Sequence, residues 1–574
     1  MICCMMVLEF WSVIKNGKYV LEEKEKMKCE LKLLSSLEKV FFDRFTDLPE
    51  HTSGSMLKNE IYSFQLAAWG EDDNCWLQKL ECQIKIESAL EQYIQIKQID
   101  YVPSIIPGYV GVMDEDYITH EPGLFPDPLH SIKDGKIVLS NKQARSFWVT
   151  VEPNEKVVGT YPITLKVLNE KEELLAETSF TLEIIDAELP ELDICNTGWF
   201  HGDCLAEIHN VEVLSEEYFK LLEKYLTVYV KFGHNMILTP IFTPPLDTVV
   251  GGERPTNQLV EVTLNNGNYS FGFKQLKRWV NLCRQHGIKF FEICHLFTQW
   301  GAYHAPKIMA TVDGEYKKLF GWETEALSEE YKTFLNVFLP ELVSFLEQEG
   351  VMDNCYFHVS DEPMEWHEEQ YRAAKEILLS HIDDSKLIDA LSNYSFYEKG
   401  IVTKPIVSSD HIHTFMEHGV KNLWTYYCMG QGKDVSNRFM AMPSYRNRIL
   451  GYQLYKYDIK GFLQWGFNFW FKQFSTGLLN PYLDTTAGGG FPAGDSFVVY
   501  PLDEEGEVVC SLRLYVFHEA MQDLRALKLL EELTDRDTVL KMLKDVEGFT
   551  CYPRNSEYII QLREMVNRKI FHSN

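Results

Sequence analysis

Basic residues are scarce in this sequence relative to acidic ones. Lys and Arg number 55 against 84 Asp and Glu, which gives a formal net charge of −29. A chain with that charge repels phosphate backbones, and no segment forms the basic patch that nucleic-acid binding requires. We therefore expect neither nucleic acid nor an anionic membrane surface as a partner.

Long apolar runs and ordered cysteine spacings are also missing. No stretch reaches the roughly 18 to 20 apolar residues of a membrane helix. The first residues, "MICCMMVLEFWSVI", lack a preceding basic region, contain Glu9 and end without a small-residue cleavage site, so we do not expect a signal peptide. The 13 cysteines are scattered and show no CxxC spacing. This predicts reduced thiols in a cytoplasmic protein, with no disulfide framework, metal site or cofactor.

The hydrophobic content of 45% in 574 residues is enough for two or three folded units. From residue 28 onward, short β-type segments such as "YSFQLAAW", "ECQIKI" and "SFWVTVEP" alternate with turn residues. They predict an antiparallel β-sandwich over residues 28–189, which ends in an acidic, proline-containing linker. Residues 1–27 are read as an N-terminal extension.

The pattern then changes to alternating strands and helices. Eight apolar segments are candidate strands: "DICNTGWF", "NMILTPIF", "KFFEICHLF", "NCYFHVS", "KLIDALS", "PIVSSD", "NLWTYYC" and "GFLQWGFNF". Amphipathic helices separate most of them, and one of these helices is predicted to begin after Ser328 as its N-cap. The pattern favours a (β/α)8 TIM-type barrel over residues 190–535, followed by a helical tail over 536–574. A doubly wound sheet is the alternative, but the glycine-rich phosphate turn that it requires is missing.

Two adjacent acids, Asp361 and Glu362, follow the fourth predicted strand in "HVSDEP". In a barrel of this kind the active site lies at the carboxyl ends of the strands, and Pro363 restrains the turn that carries the pair. Two carboxylates next to a glycosidic bond can divide the work of hydrolysis between an acid and a charged group. Because consecutive side chains point in different directions, one could protonate the leaving oxygen while its neighbour orients an acetamido group on C2.

Sugar pockets also need flat aromatic surfaces and polar groups for hydroxyls, and the other strand ends supply both. The candidate substrate-binding residues are His201, Trp300, Trp424, Tyr426, Trp465, Asn468 and Trp470, with Trp199 and Asp203 beside His201. A barrel-core position is the alternative for any one of the tryptophans. No HExxH spacing supports a metal role for His201 or His304.

The motif "HVSDEP", together with "RNRILGYQLYKYDIKGFLQWGFNFW" and "AGDSFVVYPLDEEGEVVCSLRLYVFHEAMQDLRALKLL", resembles glycoside hydrolase family 123, the β-N-acetylgalactosaminidases. The resemblance implies a sandwich followed by a barrel, and removal of terminal β-linked N-acetylgalactosamine (GalNAc) with retention through an oxazolinium intermediate. It places the general acid and base on Glu362 and the acetamido-orienting role on Asp361. Tyr426 is then the expected donor to the acetamido carbonyl, and Trp465 or Trp470 the pocket wall. Residues 1–27 have no counterpart in the family.

Two other functions remain open from the residues themselves. A carbohydrate-binding protein without activity would keep the tryptophans but would not need both acids. A retaining β-glycosidase with a nucleophile of its own would form a covalent bond between one carboxylate and C1. For all three functions, the family activity and these two alternatives, the expected partner is a glycan.

Overall fold

The computed structural model describes residues 28–45, 47–71, 79–153 and 157–574 of the chain. The predicted N-terminal extension, residues 1–27, lies outside the described residues except for the backbone of two short strands. These are β1 (Ile14–Lys15) and β2 (Lys18–Tyr19), which pair antiparallel. In the described part of the chain, no helix is both long enough and apolar enough to cross a bilayer.

The first half of the described chain consists of β-strands whose side chains alternate between inside and outside. In one of them, Ile163, Leu165 and Val167 are buried, while Thr164 and Lys166 point outward, as the two-residue period of a strand requires. The strands are β3 (Lys28–Ser35), β4 (Ser53–Leu57), β5 (Tyr62–Glu71), β6 (Lys79–Glu87), β7 (Ile94–Ser104), β8 (Gly123–Ser131), β9 (Lys136–Ser140), β10 (Ala144–Val151), β11 (Gly159–Asn169) and β12 (Leu174–Ile185).

Strands and helices alternate in the second half. The elements are β13 (Cys195–Gly198), α1 (Gly202–Ile208), α2 (Glu216–Lys231), β14 (Met236–Thr239), β15 (Glu261–Asn265), β16 (Asn268–Gly272), α3 (Lys274–Gln285), β17 (Phe290–Ile293), β18 (Ile308–Val312), β19 (Glu315–Phe320), α4 (Glu329–Gln348), β20 (Cys355–Phe357), α5 (Glu368–Leu379), β21 (Asp389–Leu391), α6 (Tyr394–Glu398), β22 (Pro405–Ser408), α7 (Ile412–Glu417), β23 (Trp424–Tyr426), α8 (Tyr445–Arg448), α9 (Leu450–Lys456), β24 (Gly461–Gln464), β25 (Val499–Leu502), β26 (Val508–Ser511), α10 (Leu512–Leu533), α11 (Arg536–Met542) and α12 (Ser556–Ser573).

The sandwich consists of two sheets packed face to face. Their strand orders, within the described residues, are β25-β26-β8-β7-β10-β5-β3 and β4-β12-β11-β6-β9. Pairing is antiparallel except between β4 and β12. Phe64 of one sheet stacks on Phe180 of the other, with 4.2 Å between ring centroids. The hairpin of β25 and β26 comes from the predicted barrel segment and extends the sandwich sheet through β8, so the two parts of the chain share a sheet.

A curled parallel sheet forms the centre of the second half. Its eight strands, all in the described segment 157–574, have the order β20-β17-β14-β13-β24-β23-β22-β21. The eight predicted strands and their alternation with helices are therefore confirmed. The predicted closed barrel is not confirmed, because the fourth strand, β20, and the fifth, β21, meet only through an isolated bridge between Phe357 and Leu387.

Two further features were not predicted from the sequence. The loops after β14 and β17 form a small sheet of β16, β15, β18 and β19 beside the parallel sheet. At the C-terminus, α12 packs between the sandwich and α10. Its Arg563 donates to Asp523 at 2.9 Å and to Glu60. The predicted helical tail thus contains α11 and α12 and joins the two halves of the chain.

Candidate active site

Asp361 and Glu362 lie just beyond the carboxyl end of β20, on a backbone that is fixed on both sides. The Trp300 amide donates to the Asp361 carbonyl at 3.0 Å. Glu362 has a φ of 44°, in the left-handed region that non-glycine residues seldom adopt, and Pro363 follows it. Such a conformation is found mainly where surrounding structure enforces it, often at functional sites. Adjacent side chains are presented from one restrained turn.

The pair is half-buried, and its partial removal from solvent favours the protonated forms. Desolvation raises the pKa of both carboxyl groups, and repulsion from Glu362 raises the pKa of Asp361 further, well above its usual range. The Tyr426 hydroxyl donates to Glu362 Oε1 at 2.6 Å and acts in the opposite direction, lowering the pKa of Glu362. Burial therefore favours the protonated form of both carboxyl groups, and it does so most strongly for Asp361.

A cavity opens above the pair. Its lining is mostly apolar and aromatic, with a few polar groups. The apolar members are Trp199, Leu246, Trp300, Ala390, Met429, Leu463, Trp465 and Phe491, and the polar members besides the pair are Asp247, Gln299, Tyr426 and Cys428. Flat rings around a few polar groups suit a sugar, which presents C–H faces and hydroxyls.

Trp465 is held in the cavity wall by buried polar contacts. Its indole N–H donates to Asp495 Oδ2 at 2.8 Å, and its carbonyl accepts from His201 Nε2 at 2.9 Å. Arg254 donates to the other ring nitrogen of His201 at 3.2 Å and forms a buried ion pair with Asp203. His201 is thus a neutral residue behind the wall, and burial lowers its pKa to about 3.

Whether each of the remaining predicted residues lines the cavity depends on its position along its strand. Asn468 is buried and exchanges hydrogen bonds with the His201 backbone, so it joins the ends of the first and eighth strands. Trp424 lies at the start of β23, where its ring packs against Tyr356 with 5.4 Å between centroids. Trp470 is fully buried and donates to the Val499 carbonyl at 3.1 Å. None of these three lines the cavity, whereas Trp300, Tyr426 and Trp465 do.

A cluster of three charged side chains, His358, Glu292 and Asp389, lies below the cavity, and the sequence analysis did not identify it. His358 places Nε2 at 2.6 Å from Glu292 Oε1 and Nδ1 at 3.1 Å from Asp389 Oδ1. A neutral imidazole can donate from only one nitrogen, so two facing carboxylates require an imidazolium. Burial by itself lowers the pKa of His358, but the hydrogen bonds to Asp389 and Glu292 outweigh burial and raise it to about 10.

This cluster of charged side chains also connects the cavity to the gap between β20 and β21 in the parallel sheet. Trp199, in the cavity wall, donates its indole N–H to Glu292 at 2.7 Å. On the other side, the Val359 amide donates to the Asp389 carboxylate at 3.2 Å, and Tyr371 donates to it as well. Asp389 belongs to β21 and Val359 follows β20. Side-chain contacts therefore join the two strands where the backbone ladder is reduced to one bridge.

His295 stacks on His358, with 4.1 Å between ring centroids, and together with Asp389 they place ligand-type atoms within 4.8 Å of one another. The composition of this set is that of a metal site. However, both His358 nitrogens already face carboxylate oxygens, and an imidazolium has no lone pair for a metal. The contacts of His358 are fully explained by the two carboxylates.

A pattern in the sequence could have identified the three charged residues of this cluster. Glu292, His358 and Asp389 are each an isolated polar residue within an apolar strand segment, and buried charges are found almost only in pairs or networks. Asp247 and Asp495 carried no such signal, because they lie in long loops and reach the site through tertiary structure. Burial raises the pKa of Asp247 to about 6 and that of Asp495 to about 7.

This combination of a half-buried carboxylate pair, an aromatic cavity and a parallel sheet is typical of glycoside hydrolases. The chain matches the glycoside hydrolase 123 catalytic domain over residues 199–530, more than half of its 574 residues. The protein therefore belongs to glycoside hydrolase family 123, which confirms the resemblance found in the sequence.

Solved structures support the fold. A family 123 glycoside hydrolase from Clostridium perfringens, studied for glycolipid glycan hydrolysis, is 14% identical with a TM-score of 0.70, over 95% of this chain and 97% of that chain. A β-glucuronidase from Bacteroides uniformis is 11% identical with a TM-score of 0.30, over 78% of this chain and 47% of that one. The first shares the fold, and the second is too distant to support an argument. No curated protein sequence matches the chain significantly.

We predict that His358→Gln lowers the free energy of unfolding by about 3 to 5 kcal/mol at pH 7, because it leaves two buried carboxylates without their cation. The folded-state pKa of about 10 lies above the unfolded value of about 6.5. The stabilisation is therefore complete below about pH 6.5 and is lost as the pH rises through about 10. Urea unfolding across this range should show a wild-type slope steeper than the variant's by up to about 1.4 kcal/mol per pH unit.

The matched control is His572→Gln, which changes an exposed histidine at the end of α12. It should leave both the stability and its pH dependence unchanged. Equal pH slopes in the wild type and the His358 variant would contradict a charged His358.

Proposed function

We propose that the protein is a retaining exo-glycosidase that removes terminal β-linked GalNAc from glycans, with the substrate's acetamido group as the nucleophile. The observation that carries the proposal is the pair of adjacent carboxyl groups, Asp361 and Glu362, which lie half-buried in the lining of an aromatic cavity and whose pKa values are both raised. Membership of family 123 supplies the glycosidic bond as the target.

The two carboxyl groups would have different roles once substrate is bound. The acetamido N–H donates to Asp361, and the positive charge that develops as its carbonyl attacks C1 favours the ionised form of that residue. Asp361 is then ionised, and Glu362 in its protonated form donates its proton to the leaving oxygen. After departure of the leaving group, Glu362 accepts a proton from the water that opens the oxazolinium.

Tyr426 fits this exchange. In the ligand-free protein it donates to Glu362, which favours the carboxylate form of Glu362. If its hydroxyl turns to the acetamido carbonyl when substrate binds, Glu362 loses a donor, its pKa rises, and the protonated form that can act as the acid is favoured. This agrees with the role predicted for Tyr426 from the sequence, and it couples substrate recognition to the protonation of the acid.

Burial of the pair disfavours the inactive binding protein as an alternative. Two adjacent carboxyl groups in a desolvated position reduce stability, and a lectin could bind sugar hydroxyls through neutral or exposed groups. The direct-nucleophile alternative would need a second carboxylate opposite the acid. Asp247 is the other carboxylate that lines the cavity, so it is the residue on which a covalent adduct would form.

The related enzyme and the lining of the cavity support the proposed substrate class. The Clostridium perfringens family member was studied for glycolipid glycan hydrolysis, and we extend this to propose glycolipid glycans as substrates here. Three indole rings line the cavity, those of Trp199, Trp300 and Trp465. They provide faces for one terminal sugar.

A panel of aryl β-glycosides of GalNAc, N-acetylglucosamine, galactose and glucose tests the proposal. The GalNAc compound should be hydrolysed fastest, and galactose, which lacks the acetamido group, should scarcely react because the nucleophile is missing. Product analysis by NMR should detect the β-anomer first. Efficient hydrolysis of the galactoside would refute the assisted mechanism, and no turnover of any compound would favour the binding protein.

We predict that Glu362→Gln reduces kcat/KM by roughly 10² to 10⁴ on GalNAc glycosides with poor leaving groups, since general acid catalysis contributes about this factor. Aryl groups that leave readily need less protonation, so their loss should be much smaller. Initial rates across a series of phenols of decreasing acidity measure the difference. Glu365→Gln, in the same loop but not in the cavity lining, is the control and should leave the rates unchanged.

A further inference from the structure

Most polar groups in the cavity lining already have partners within the protein. Trp199 and Trp465 donate to Glu292 and Asp495, and Tyr426 donates to Glu362. These groups therefore have little capacity left for the hydroxyls of a sugar. Among the described residues that line the cavity, the side chain with an uncommitted carboxylate oxygen outside the catalytic pair is that of Asp247.

Asp247 is positioned by contacts on every side. Its Oδ2 accepts from the Phe474 amide at 2.9 Å, while no hydrogen bond from the described part of the chain engages Oδ1. Its own amide donates to Gln299 at 2.7 Å, and Ser475 donates to its carbonyl at 2.7 Å. Arg254 holds the preceding carbonyl, that of Leu246, at 2.9 Å. One carboxylate oxygen is thus used to fix the loop, and the other is left to the cavity.

The backbone of this loop is constrained in the same way as that of the pair. Asp247 has a φ of 41°, and Phe474 and Ser475, which contact it, have φ values of 61° and 55°. Three left-handed residues at one junction are held there by the contacts around them. The Phe474 ring packs edge-on against Trp300, another lining residue, with 6.3 Å between centroids. The junction therefore presents a preorganised acceptor, half-buried at the cavity wall.

The position of Asp247 relative to the pair indicates what it can reach. The pair follows β20 and engages the C1 oxygen and the C2 substituent, whereas Asp247 follows β14, two strands away in the sheet. The hydroxyls at C4 and C6 lie farthest from the reacting bond and need an acceptor elsewhere. A carboxylate is the strongest acceptor that a protein offers to a hydroxyl.

We propose that Asp247 binds the C4 or C6 hydroxyl of the terminal sugar. The inference rests on the proposed function, since it assumes a terminal sugar with its reacting bond at Asp361 and Glu362. Asp247 takes no part in bond cleavage. It contributes to binding of the ground state and the transition state alike.

The test is a thermodynamic cycle in which the substitution of Asp247 is combined with removal of single hydroxyls from the substrate. Kinetics are measured with aryl β-GalNAc and with its 4-deoxy and 6-deoxy analogues, on the wild type and on Asp247→Ala. Loss of a hydrogen bond to a charged group should reduce kcat/KM about 10- to 100-fold. The wild type should show this loss on the analogue that lacks the bound hydroxyl. The variant should show it on the parent sugar, with little further loss on that analogue.

Two other variants separate binding from loop structure. Asp247→Asn keeps the size of the side chain and a neutral acceptor, so it should fold normally and lose activity to an intermediate degree. Ser475→Ala removes a hydrogen bond at the same junction but leaves the carboxylate intact. It should discriminate between the parent and deoxy sugars as the wild type does.

The outcomes are distinct. Independent, multiplying losses for Asp247→Ala and the deoxy sugars would overturn the proposal, because the residue would then act only through loop structure. A loss of 10⁴ or more in kcat that azide restores, or a glycosyl adduct on Asp247, would also overturn it and would identify a nucleophile. If the wild type prefers another sugar, the proposed substrate fails but the same cycle is run on that sugar. The same cycle can be measured without turnover by calorimetric titration of the protein with the free sugars. If the protein binds none of these sugars, both proposals are overturned.

Discussion

The structure of the site depends on one buried cation. His358 lies between Glu292 and Asp389 with a hydrogen bond to each, and all three side chains are shielded from solvent. The geometry requires an imidazolium, and the imidazolium is stable there because two carboxylates oppose the cost of its burial. These contacts lie at the seam between β20 and β21, where the ladder of the parallel sheet is reduced to one bridge. Ionic contacts thus replace backbone pairing at the strand that precedes Asp361 and Glu362.

This arrangement explains how the acids are held without a rigid strand beneath them. A regular strand would point Asp361 and Glu362 to opposite faces. Because β20 ends early at Phe357, the chain can turn, place Glu362 in a left-handed conformation and direct both side chains toward the cavity. His358 also reduces the repulsion that Asp361 experiences from Glu292 and Asp389. The cluster of His358, Glu292 and Asp389 therefore affects both the position and the ionisation of Asp361 and Glu362 above it.

Much of the fold could be predicted because it depends on local patterns. The eight parallel strands and the helix capped by Ser328, whose hydroxyl accepts from the Tyr331 amide at 3.3 Å, follow from periodicity and end signals. The closed barrel was not predictable in detail, since a gap at one seam depends on side-chain contacts between distant segments. The addition of β25 and β26 to the sandwich also involves residues far apart in sequence.

The site was predictable to the extent that residues at strand ends reach the cavity. Tyr426 lines it and Trp424 does not, although both belong to β23, because they lie at opposite ends of the strand. Trp470 lies beyond β24, where the chain has already returned to the core. Asp247 could not be identified, because the contacts that direct its carboxylate to the cavity come from loops that are remote in sequence.

Inhibition by a thiazoline analogue of the GalNAc oxazoline tests the central claim most directly, since this compound resembles the charged, cyclised species that we propose Asp361 stabilises. It should inhibit the wild type competitively and bind more tightly than free GalNAc. Asp361→Asn keeps the size of the side chain and removes its charge, so it should weaken thiazoline binding and transition-state stabilisation by about 2 to 4 kcal/mol. Thiazoline binding no tighter than that of GalNAc, or a trapped glycosyl ester on a side chain during turnover, would contradict the assisted mechanism.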